Sequence, residues 1–235
     1  MSEAFPTEAA EFDRYAAEYD AALANGLAAS GEEKEYFAQG RVNWLTRCVE
    51  GEQASLSAAM DFGCGTGSAT PFLLRMPGVT SLVGVDVSAN SLAYARRSHP
   101  QSAARFALFS EYKPEGVLDL AFCNGVFHHI PVAERDAAVQ YIYRSLRPGG
   151  VFAFWENNPW NPGTRYVMSR IPFDRNAITL KPREAQNLVR RNGFVIMRTD
   201  YLFIFPRVLR WLRGLEPRLA VLPLGAQYQV LCRKP

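Results

Sequence analysis

One short stretch, residues 59–68, limits what this chain can fold into more than any other. Its sequence, AMDFGCGTGS, runs from an apolar segment through Asp61 into three glycines spaced two apart, and an apolar helical pattern follows. Glycines at a turn allow positive φ angles and let a ligand lie against the backbone. The first turn of a helix offers free N–H groups to a polar ligand group. The stretch therefore predicts a strand, a tight ligand-binding turn and a helix.

A second apolar segment, SLVGVDV at residues 81–87, predicts a neighbouring strand that ends at Asp86. A carboxylate at that position can accept both hydroxyls of a ribose held over the first turn. Ser88 is expected to cap the helix that follows. Two strand–helix units with this spacing indicate a nucleoside-binding half-sheet.

The loop DFGCGTG resembles the first motif of the class I S-adenosylmethionine-dependent methyltransferases, and Asp86 matches their ribose-binding acid. The resemblance implies one domain over residues 1–235, of α/β class, with a Rossmann-like, doubly wound, seven-stranded and mostly parallel sheet. It also implies methyl transfer from S-adenosylmethionine, which leaves S-adenosylhomocysteine. The implied cofactor-binding residues of this region are Asp61, Gly63, Cys64, Gly65, Thr66, Gly67, Asp86 and Val87.

Later segments follow the family's order. Residues 117–124 are nearly all apolar, as a buried parallel strand should be, and the turn LRPGG leads into a fifth strand at residues 151–156. Relatives place an acid after the third strand to hold the adenine amine, and Ser110 takes that place here. Asn124, at the end of the fourth strand, is a further cofactor candidate.

Residues 1–50 are predicted to form an N-terminal helical lid. Residues 8–24 carry apolar side chains at helical spacing, and the phrase FDRYAAEYD resembles the family's entry segment, which supplies a tyrosine to the cofactor. Tyr19 is the candidate, with simple packing as the alternative. A second helix, with Ser30 as its expected cap, carries Arg41, which is predicted to meet the cofactor carboxylate or, alternatively, to face solvent.

Catalytic candidates follow the fourth and fifth strands, because ligands of open parallel sheets lie beyond the carboxyl ends of the strands. His128 and His129 follow the fourth strand, and a neutral imidazole can take a proton or position a hydroxyl or amine. Helix capping or core packing is the alternative. Glu156 ends the fifth strand as a base or a cation-binding group, with an ion pair to Arg165 or Arg175 as the alternative.

Two segments outside the strands are predicted to shape the acceptor site. Residues 157–180 contain turn formers without a clean period, and long connections of this kind tend to be functional. The acceptor is expected to enter between them and the lid. Residues 206–223 form a basic, amphipathic insertion before the last strand. Its Leu/Trp side is expected to pack on the sheet edge with the arginines in water, and contact with a membrane surface is the alternative.

The partner predicted from these features is a small molecule, apolar or aromatic in character, because Trp160, Tyr166, Phe173 and Phe205 lie in or beside these segments. No nucleic acid is expected: the phrase NNPW at residues 157–160 follows the wrong strand for the motif of nucleic-acid amino-methyltransferases. No metal is expected, because Asn124 stands without the clustered carboxylates of catechol-type enzymes.

Composition points to a cytoplasmic globular protein. The chain is 48% hydrophobic and 21% charged, its net charge is +3, and its four cysteines are scattered. It has no apolar run of the roughly 20 residues that a membrane span needs, and its start lacks signal-peptide features. Two alternatives to a small-molecule methyltransferase stay open: a related cofactor-binding protein without turnover, and a methyltransferase of a lipid-linked acceptor at the membrane surface.

Overall fold

The computed structural model of the chain describes residues 26–50, 56–174 and 177–235. Its seven strands are β1 (Ala58–Phe62), β2 (Ser81–Asp86), β3 (Ala104–Leu108), β4 (Leu118–Asn124), β5 (Leu146–Asn157), β6 (Val195–Leu202) and β7 (Gln227–Arg233). They form one sheet in the order β3-β2-β1-β4-β5-β7-β6. Six strands point the same way, and β7 runs antiparallel to both of its neighbours. The predicted seven-stranded, mostly parallel sheet is confirmed.

Helices cover both faces of this sheet. They are α1 (Lys34–Val49), α2 (Thr70–Leu73), α3 (Ala89–Ser98), α4 (Arg135–Ser145), α5 (Pro162–Arg170), α6 (Pro182–Arg191) and α7 (Glu216–Leu219). One apolar layer joins the sheet to α4 and α6 through Val139 and Leu188, and the opposite layer joins it to α1 and α2 through Leu45 and Leu73. Every helix in the described ranges is too short or too polar to span a bilayer.

Strand β4 has the sequence pattern of a strand that is covered by helices on both faces. Its residues Leu120 and Phe122 belong to the layer of α1, whereas Ala121 and Cys123 belong to the layer of α4. Successive side chains of a strand point to opposite faces, so a strand covered on both sides is apolar throughout. The strand predicted from the apolar run at residues 117–124 is confirmed.

The strand order positions the candidate site. The chain runs from β1 outwards to β3 and then returns to β4 on the other side of β1. A ligand-binding crevice opens where the connections diverge in this way, beyond the carboxyl ends of the two central strands. Phe62 and Asn124 end these strands and Asp86 ends β2, so the glycine loop, Asp86 and Asn124 meet at one edge of the sheet.

The structure tests two helix caps that were predicted from the sequence. Ser88 caps α3 as predicted, because its Oγ accepts a hydrogen bond of 3.1 Å from the N–H of Ser91. The cap predicted at Ser30 is wrong. Its hydroxyl donates to the carbonyl of Leu27 at 2.7 Å within a short 3₁₀ turn, and α1 begins only at Lys34. The helix predicted for residues 8–24 lies outside the described residues.

Residues 157–180 are more regular than predicted, because they contain α5. Asn161 caps this helix by accepting a hydrogen bond of 3.0 Å from the N–H of Thr164, and Pro162 at the first helical position suits a helix start. The residues that α5 buries are Thr164 and Met168. Two buried positions are too few to show a helical period in the sequence.

The segment at residues 206–223 does not bury its Leu/Trp side as predicted. The side chains of Val208 and Trp211 are 82% and 75% exposed, and the 3₁₀ helix at Arg207–Leu215 buries none of its residues. The segment is attached through Glu216, whose carboxylate accepts hydrogen bonds from the N–H groups of Phe203 and Phe205 at 3.2 and 3.0 Å. The expectation that the Leu/Trp side packs on the sheet edge is therefore wrong.

Candidate active site

The loop after β1 contains three glycines, and the space around them differs. Gly63, Gly65 and Gly67 have φ angles of 70°, 51° and 81°, in the left-handed region that favours glycine. A Cβ atom at Gly63 would overlap the side chain of Val126, whereas no described atom lies within 4 Å of a Cβ atom at Gly65. The loop therefore packs tightly at Gly63 and leaves open space at Gly65.

Asp86 faces this loop from the end of β2. One carboxylate oxygen accepts a hydrogen bond of 2.8 Å from the N–H of Gly65, and the other accepts one of 2.9 Å from the N–H of Ser88. An ionised carboxylate has about four acceptor positions. These backbone bonds orient the carboxylate towards the loop, at the position from which it can contact a ligand lying over Gly65.

A small pocket of about 100 Å³ lies beside Asp86. Of the predicted cofactor residues, it is lined by Gly63, Gly65, Thr66, Asp86, Val87 and Asn124. Ser110 is not brought to this pocket: it is exposed in the turn after β3, and the neighbouring Phe109 lines the pocket instead. The Cys64 side chain is buried, with Sγ beside Gly84.

Asn124 joins the small pocket to a larger one. It lines both, together with Gly125 and His129. Among the described residues, its Oδ1 atom is buried and has no hydrogen-bond partner. A buried acceptor without a partner is costly, so this oxygen is suited to a hydrogen-bond donor of a ligand.

The large pocket, about 400 Å³, collects residues from distant parts of the chain. Aromatic side chains form one side: Phe203 packs against Tyr36 and Phe37 with ring centroids 5.9 and 5.0 Å apart. Phe203 has a φ angle of 62°, unusual for a bulky residue. Arg213 closes the same side, with its guanidinium donating to Glu32 at 2.9 Å. These pocket residues were not predicted, because nothing local marks them.

Arg41 lies between this pocket and the sheet. It is 8% exposed, lines the large pocket and donates a hydrogen bond of 2.9 Å to Oε1 of Gln227. Asp61 lies at the end of β1, almost completely buried. Burial raises the pKa of its carboxyl to about 7, the charge of Asp86 adds to the rise, and Arg41 opposes it.

His128, in the wall of the large pocket, lies between two carboxylates. Its Nδ1 lies 2.7 Å from Oε2 of Glu156, and its Nε2 lies 3.6 Å from Oδ1 of Asp174. Burial alone would lower the pKa of His128, but Glu156 and Asp174 raise it to about 10. With this pKa the imidazole is protonated at neutral pH and does not act as a proton acceptor.

His129 is the histidine that reaches both pockets. Its side chain is 13% exposed and its Nε2 lies 3.4 Å from Oδ1 of Asp174. Burial and the neighbouring charge of His128 lower the pKa of His129. The group is therefore neutral near pH 7, at the junction where two ligands would meet.

Glu156 lies near the end of β5, as expected, but it does not reach either pocket. It is 1% exposed and lines neither pocket. Its carboxylate faces His128 and accepts a hydrogen bond of 2.8 Å from the N–H of Phe127, rather than pairing with Arg165. Glu156 therefore contacts His128 and does not reach either pocket. Two other predicted contacts, Tyr19 and Arg175, lie outside the described residues.

Comparisons with known proteins agree with this architecture. A family model described as a methyltransferase domain matches residues 60–152. The chain is similar to trans-aconitate 2-methyltransferase of Methylobacterium nodulans, with 27% identity over 199 residues, covering 77% of this chain and 76% of that protein. The enzyme of the same name from Azoarcus sp. is 31% identical over 116 residues, 49% of this chain and 45% of that protein. Against this second relative the chain spans about half of the relative's length.

A solved structure shares the fold. The structure of geranyl diphosphate methyltransferase in complex with S-adenosylmethionine aligns with a TM-score of 0.61 at 18% identity, covering 84% of this chain and 85% of that one. These comparisons support the resemblance to class I S-adenosylmethionine-dependent methyltransferases, through a methyltransferase-domain match over residues 60–152 and a shared fold.

The residues at this edge of the sheet fit S-adenosylmethionine, the cofactor of the methyltransferases that the chain resembles. The open space at Gly65, the carboxylate of Asp86 and the unpartnered oxygen of Asn124 line the same small pocket. They would receive a ribose and the donor groups of an amino-acid moiety. Phe109 offers an aromatic face where relatives use an acid for adenine.

The titration of Asp61 gives the stability of the protein a testable pH dependence. Its folded-state pKa is about 7, above the value of about 3.9 for an unfolded Asp. The stability that this rise provides is complete below about pH 4 and is lost as the pH rises through 7. Asp61→Asn is therefore expected to exceed wild type in unfolding free energy by ~1–3 kcal/mol at pH 8, with a smaller advantage at pH 5.

Urea unfolding of both proteins between pH 5 and 8 measures this difference. Asp136→Asn is the control, because hydrogen bonds from Arg191 lower the pKa of Asp136, which predicts loss of stability instead of gain. A constant difference between Asp61→Asn and wild type across this range would contradict the account.

Proposed function

We propose that this chain transfers a methyl group from S-adenosylmethionine to a small-molecule acceptor, on oxygen, nitrogen or carbon. The observation that carries the proposal is the meeting of two pockets at Asn124, Gly125 and His129. The small pocket carries the family's nucleoside-binding features, and the large one has room for a second ligand. A methyl group passing between two bound molecules needs this arrangement.

The cofactor supplies a methyl group on a sulfonium, which is already a good leaving group. The protein therefore has mainly to align the reactants, and alignment alone can contribute several kcal/mol. Asp86 and the glycine loop hold the nucleoside, Thr66 and Val87 line its pocket, and Asn124 with Arg41 would bind the amino-acid end. Tyr19 is proposed to join them from the lid.

Within the predicted catalytic set, His129 is proposed to contact the acceptor, since it reaches the junction of the pockets. His128 and Glu156 are proposed as positioning residues. Glu156 orients His128, and His128 packs against His129 with ring centroids 4.1 Å apart. A charged His128 beside His129 also favours the neutral form of the latter.

The acceptor is proposed to enter between residues 1–50 and 157–180 of one domain. This is supported by the lining of the large pocket, which draws Tyr36 and Phe37 from the first segment and Tyr166 and Met168 from the second. The aromatic side chains favour an acceptor with an apolar or aromatic body. Lys34 and Arg213 in the same lining would tolerate a carboxylate, as in the named relatives' substrate.

The test is transfer of a labelled methyl group from S-adenosylmethionine into a panel of small acids, phenols and amines, with trans-aconitate included. The expected result is stoichiometric formation of S-adenosylhomocysteine and a labelled product. Cofactor binding without turnover on any acceptor would instead favour a cofactor-binding protein. Since no nucleic-acid partner is proposed, labelling of RNA or DNA would also contradict the assignment.

The exposed surface of residues 206–223 favours a second candidate, a lipid-linked acceptor at a membrane surface. Val208 and Trp211 project into solvent beside the exposed Arg210 and Arg218. Basic amphipathic segments that expose Trp bind anionic bilayers. Phe205 and Pro206, at the start of the segment, line the large pocket, so a bilayer held here would lie near its mouth.

Under this second candidate, wild type is expected to co-sediment with vesicles of phosphatidylglycerol and phosphatidylcholine at low salt, because buried apolar area and arginine–lipid attraction act together. Trp211→Ser is expected to reduce the bound fraction several-fold. Tyr94→Ser, an exposed aromatic on α3 near the opposite edge of the sheet, is the control. Absence of wild-type binding at low salt would remove this candidate.

A further inference from the structure

Three potential metal ligands converge on the wall of the large pocket. The Nε2 atoms of His128 and His129 lie 3.6 and 3.4 Å from Oδ1 of Asp174, and one ligand atom from each residue falls within 4.8 Å of the other two. The histidines follow β4, whereas Asp174 ends the 3₁₀ turn after α5. The chain thus brings two imidazoles and one carboxylate together from separate segments.

We propose that His128, His129 and Asp174 bind a divalent transition-metal ion, with Zn²⁺ as the first candidate. Metal–ligand bonds of about 2.0–2.1 Å at tetrahedral angles separate neighbouring ligand atoms by about 3.3 Å. The two nitrogen–oxygen distances, 3.6 and 3.4 Å, are within a few tenths of an ångström of that value.

Glu156 supplies the outer partner that metal-binding histidines require. A ligating imidazole almost always donates its other N–H to a carboxylate or carbonyl, which selects the tautomer and fixes the ring. Nδ1 of His128 lies 2.7 Å from Oε2 of Glu156, so that Nε2 is left for the ion. Glu156 is itself held by hydrogen bonds from the N–H groups of Phe127 and Asn157 at 2.8 and 3.2 Å.

Charge balance also favours a cation. Glu156 and Asp174 are 1% and 9% exposed, and two carboxylates in so little water need compensating charge. With both imidazoles neutral, a divalent ion would balance the two carboxylates.

The donor set and its position indicate what the ion would do. Two imidazoles and one carboxylate are typical of Zn²⁺ and Fe²⁺ sites in which three protein ligands leave at least one open position. All three proposed ligands line the large pocket, so the open position would face a bound acceptor. An oxygen or nitrogen of the acceptor bound there would lose its proton more easily.

For the proposed function, this inference makes His129 a metal ligand that acts on the acceptor through the ion. That consequence rests on the proposed methyl transfer, whereas metal binding does not. The expectation of no metal came from the absence of clustered carboxylates after the fourth strand. The cluster is instead completed by Asp174, which no local spacing connects to the two histidines.

The test uses the untagged full chain, stripped with a chelator and titrated with Zn²⁺, and separately with Co²⁺ as an optical probe, without cofactor or acceptor. One equivalent is expected to bind with a dissociation constant of about 1 µM or below. His129→Gln and Asp174→Asn are each expected to weaken binding about 100-fold. His99→Gln and Asp136→Asn are the matched controls, which remove an imidazole and a carboxylate elsewhere.

Three outcomes would overturn the site. They are no binding by folded wild type at 100-fold higher Zn²⁺, equal binding by all variants, or a thiolate-to-cobalt charge-transfer band that places the ion on cysteine. If Asp174→Asn does not fold, His129→Gln decides alone. Because S-adenosylmethionine binding is measured on the same stripped protein, loss of the metal site and failure of the proposed function give separate results.

Discussion

Gly65→Ala is expected to weaken S-adenosylmethionine binding by about 100-fold while the protein stays folded. The φ angle of Gly65 is 51°, which alanine adopts at a cost of about 1–2 kcal/mol. No described atom lies within 4 Å of the new methyl group, so the fold has room for it. That room, however, is the space beside Asp86 that the nucleoside would fill. Calorimetric titration and thermal melting measure the two effects separately.

Two other glycines serve as comparisons. Gly149 has a φ angle of 80° and the same open surroundings, but it lies within β5, near the start of that strand. Gly149→Ala should therefore lose similar stability and keep full cofactor affinity. Gly63→Ala should lose the most stability, because its methyl group overlaps Val126. Wild-type affinity in Gly65→Ala would show that the cofactor does not lie against this loop.

His129→Gln is expected to lower the turnover number by about 100-fold or more, with a dissociation constant for S-adenosylmethionine within about threefold of wild type. The imidazole lies at the junction of the pockets, so its loss affects the acceptor more than the nucleoside. Single-turnover methyl transfer to an acceptor from the panel, together with cofactor titration, measures both quantities.

His99→Gln is the matched control, because His99 lines neither pocket and should retain turnover. Equal turnover in His129→Gln and wild type would remove His129 from the reaction. A parallel loss of cofactor affinity would instead assign it to the cofactor side. Added Zn²⁺ should raise wild-type turnover and leave the His129→Gln variant unchanged if the ion acts through this residue.

Much of the fold could be predicted, because its local signals are strong. Apolar runs define β2 and β4 since both are covered on two faces, and the hydroxyl of Ser88 ends one loop and starts α3. The glycines of residues 63–67 mark their turn because only glycine adopts that backbone at low cost. The doubly wound arrangement of the strands was expected from the resemblance to the class I methyltransferases, because no local sequence pattern indicates it.

The features that could not be predicted depend on contacts between residues that are distant in sequence. Nothing near Glu156 in sequence shows that its partner is His128, and nothing near His129 points to Asp174. Phe109 lines the small pocket in place of Ser110 because one residue of register decides which side chain faces inwards. Exposure of Trp211 was also missed, since an amphipathic pattern indicates an apolar face without showing what covers it.

Calorimetric titration of S-adenosylmethionine and S-adenosylhomocysteine into wild type and Asp86→Ala tests the central claim most directly. The account predicts micromolar binding to wild type and a loss of about 100-fold or more in the variant, because Asp86 orients the Gly65 loop and is proposed to bind the ribose. Near-ultraviolet circular dichroism confirms that the variant is folded. If well-folded wild type binds neither compound, the assignment of the glycine loop and Asp86 to this cofactor is wrong.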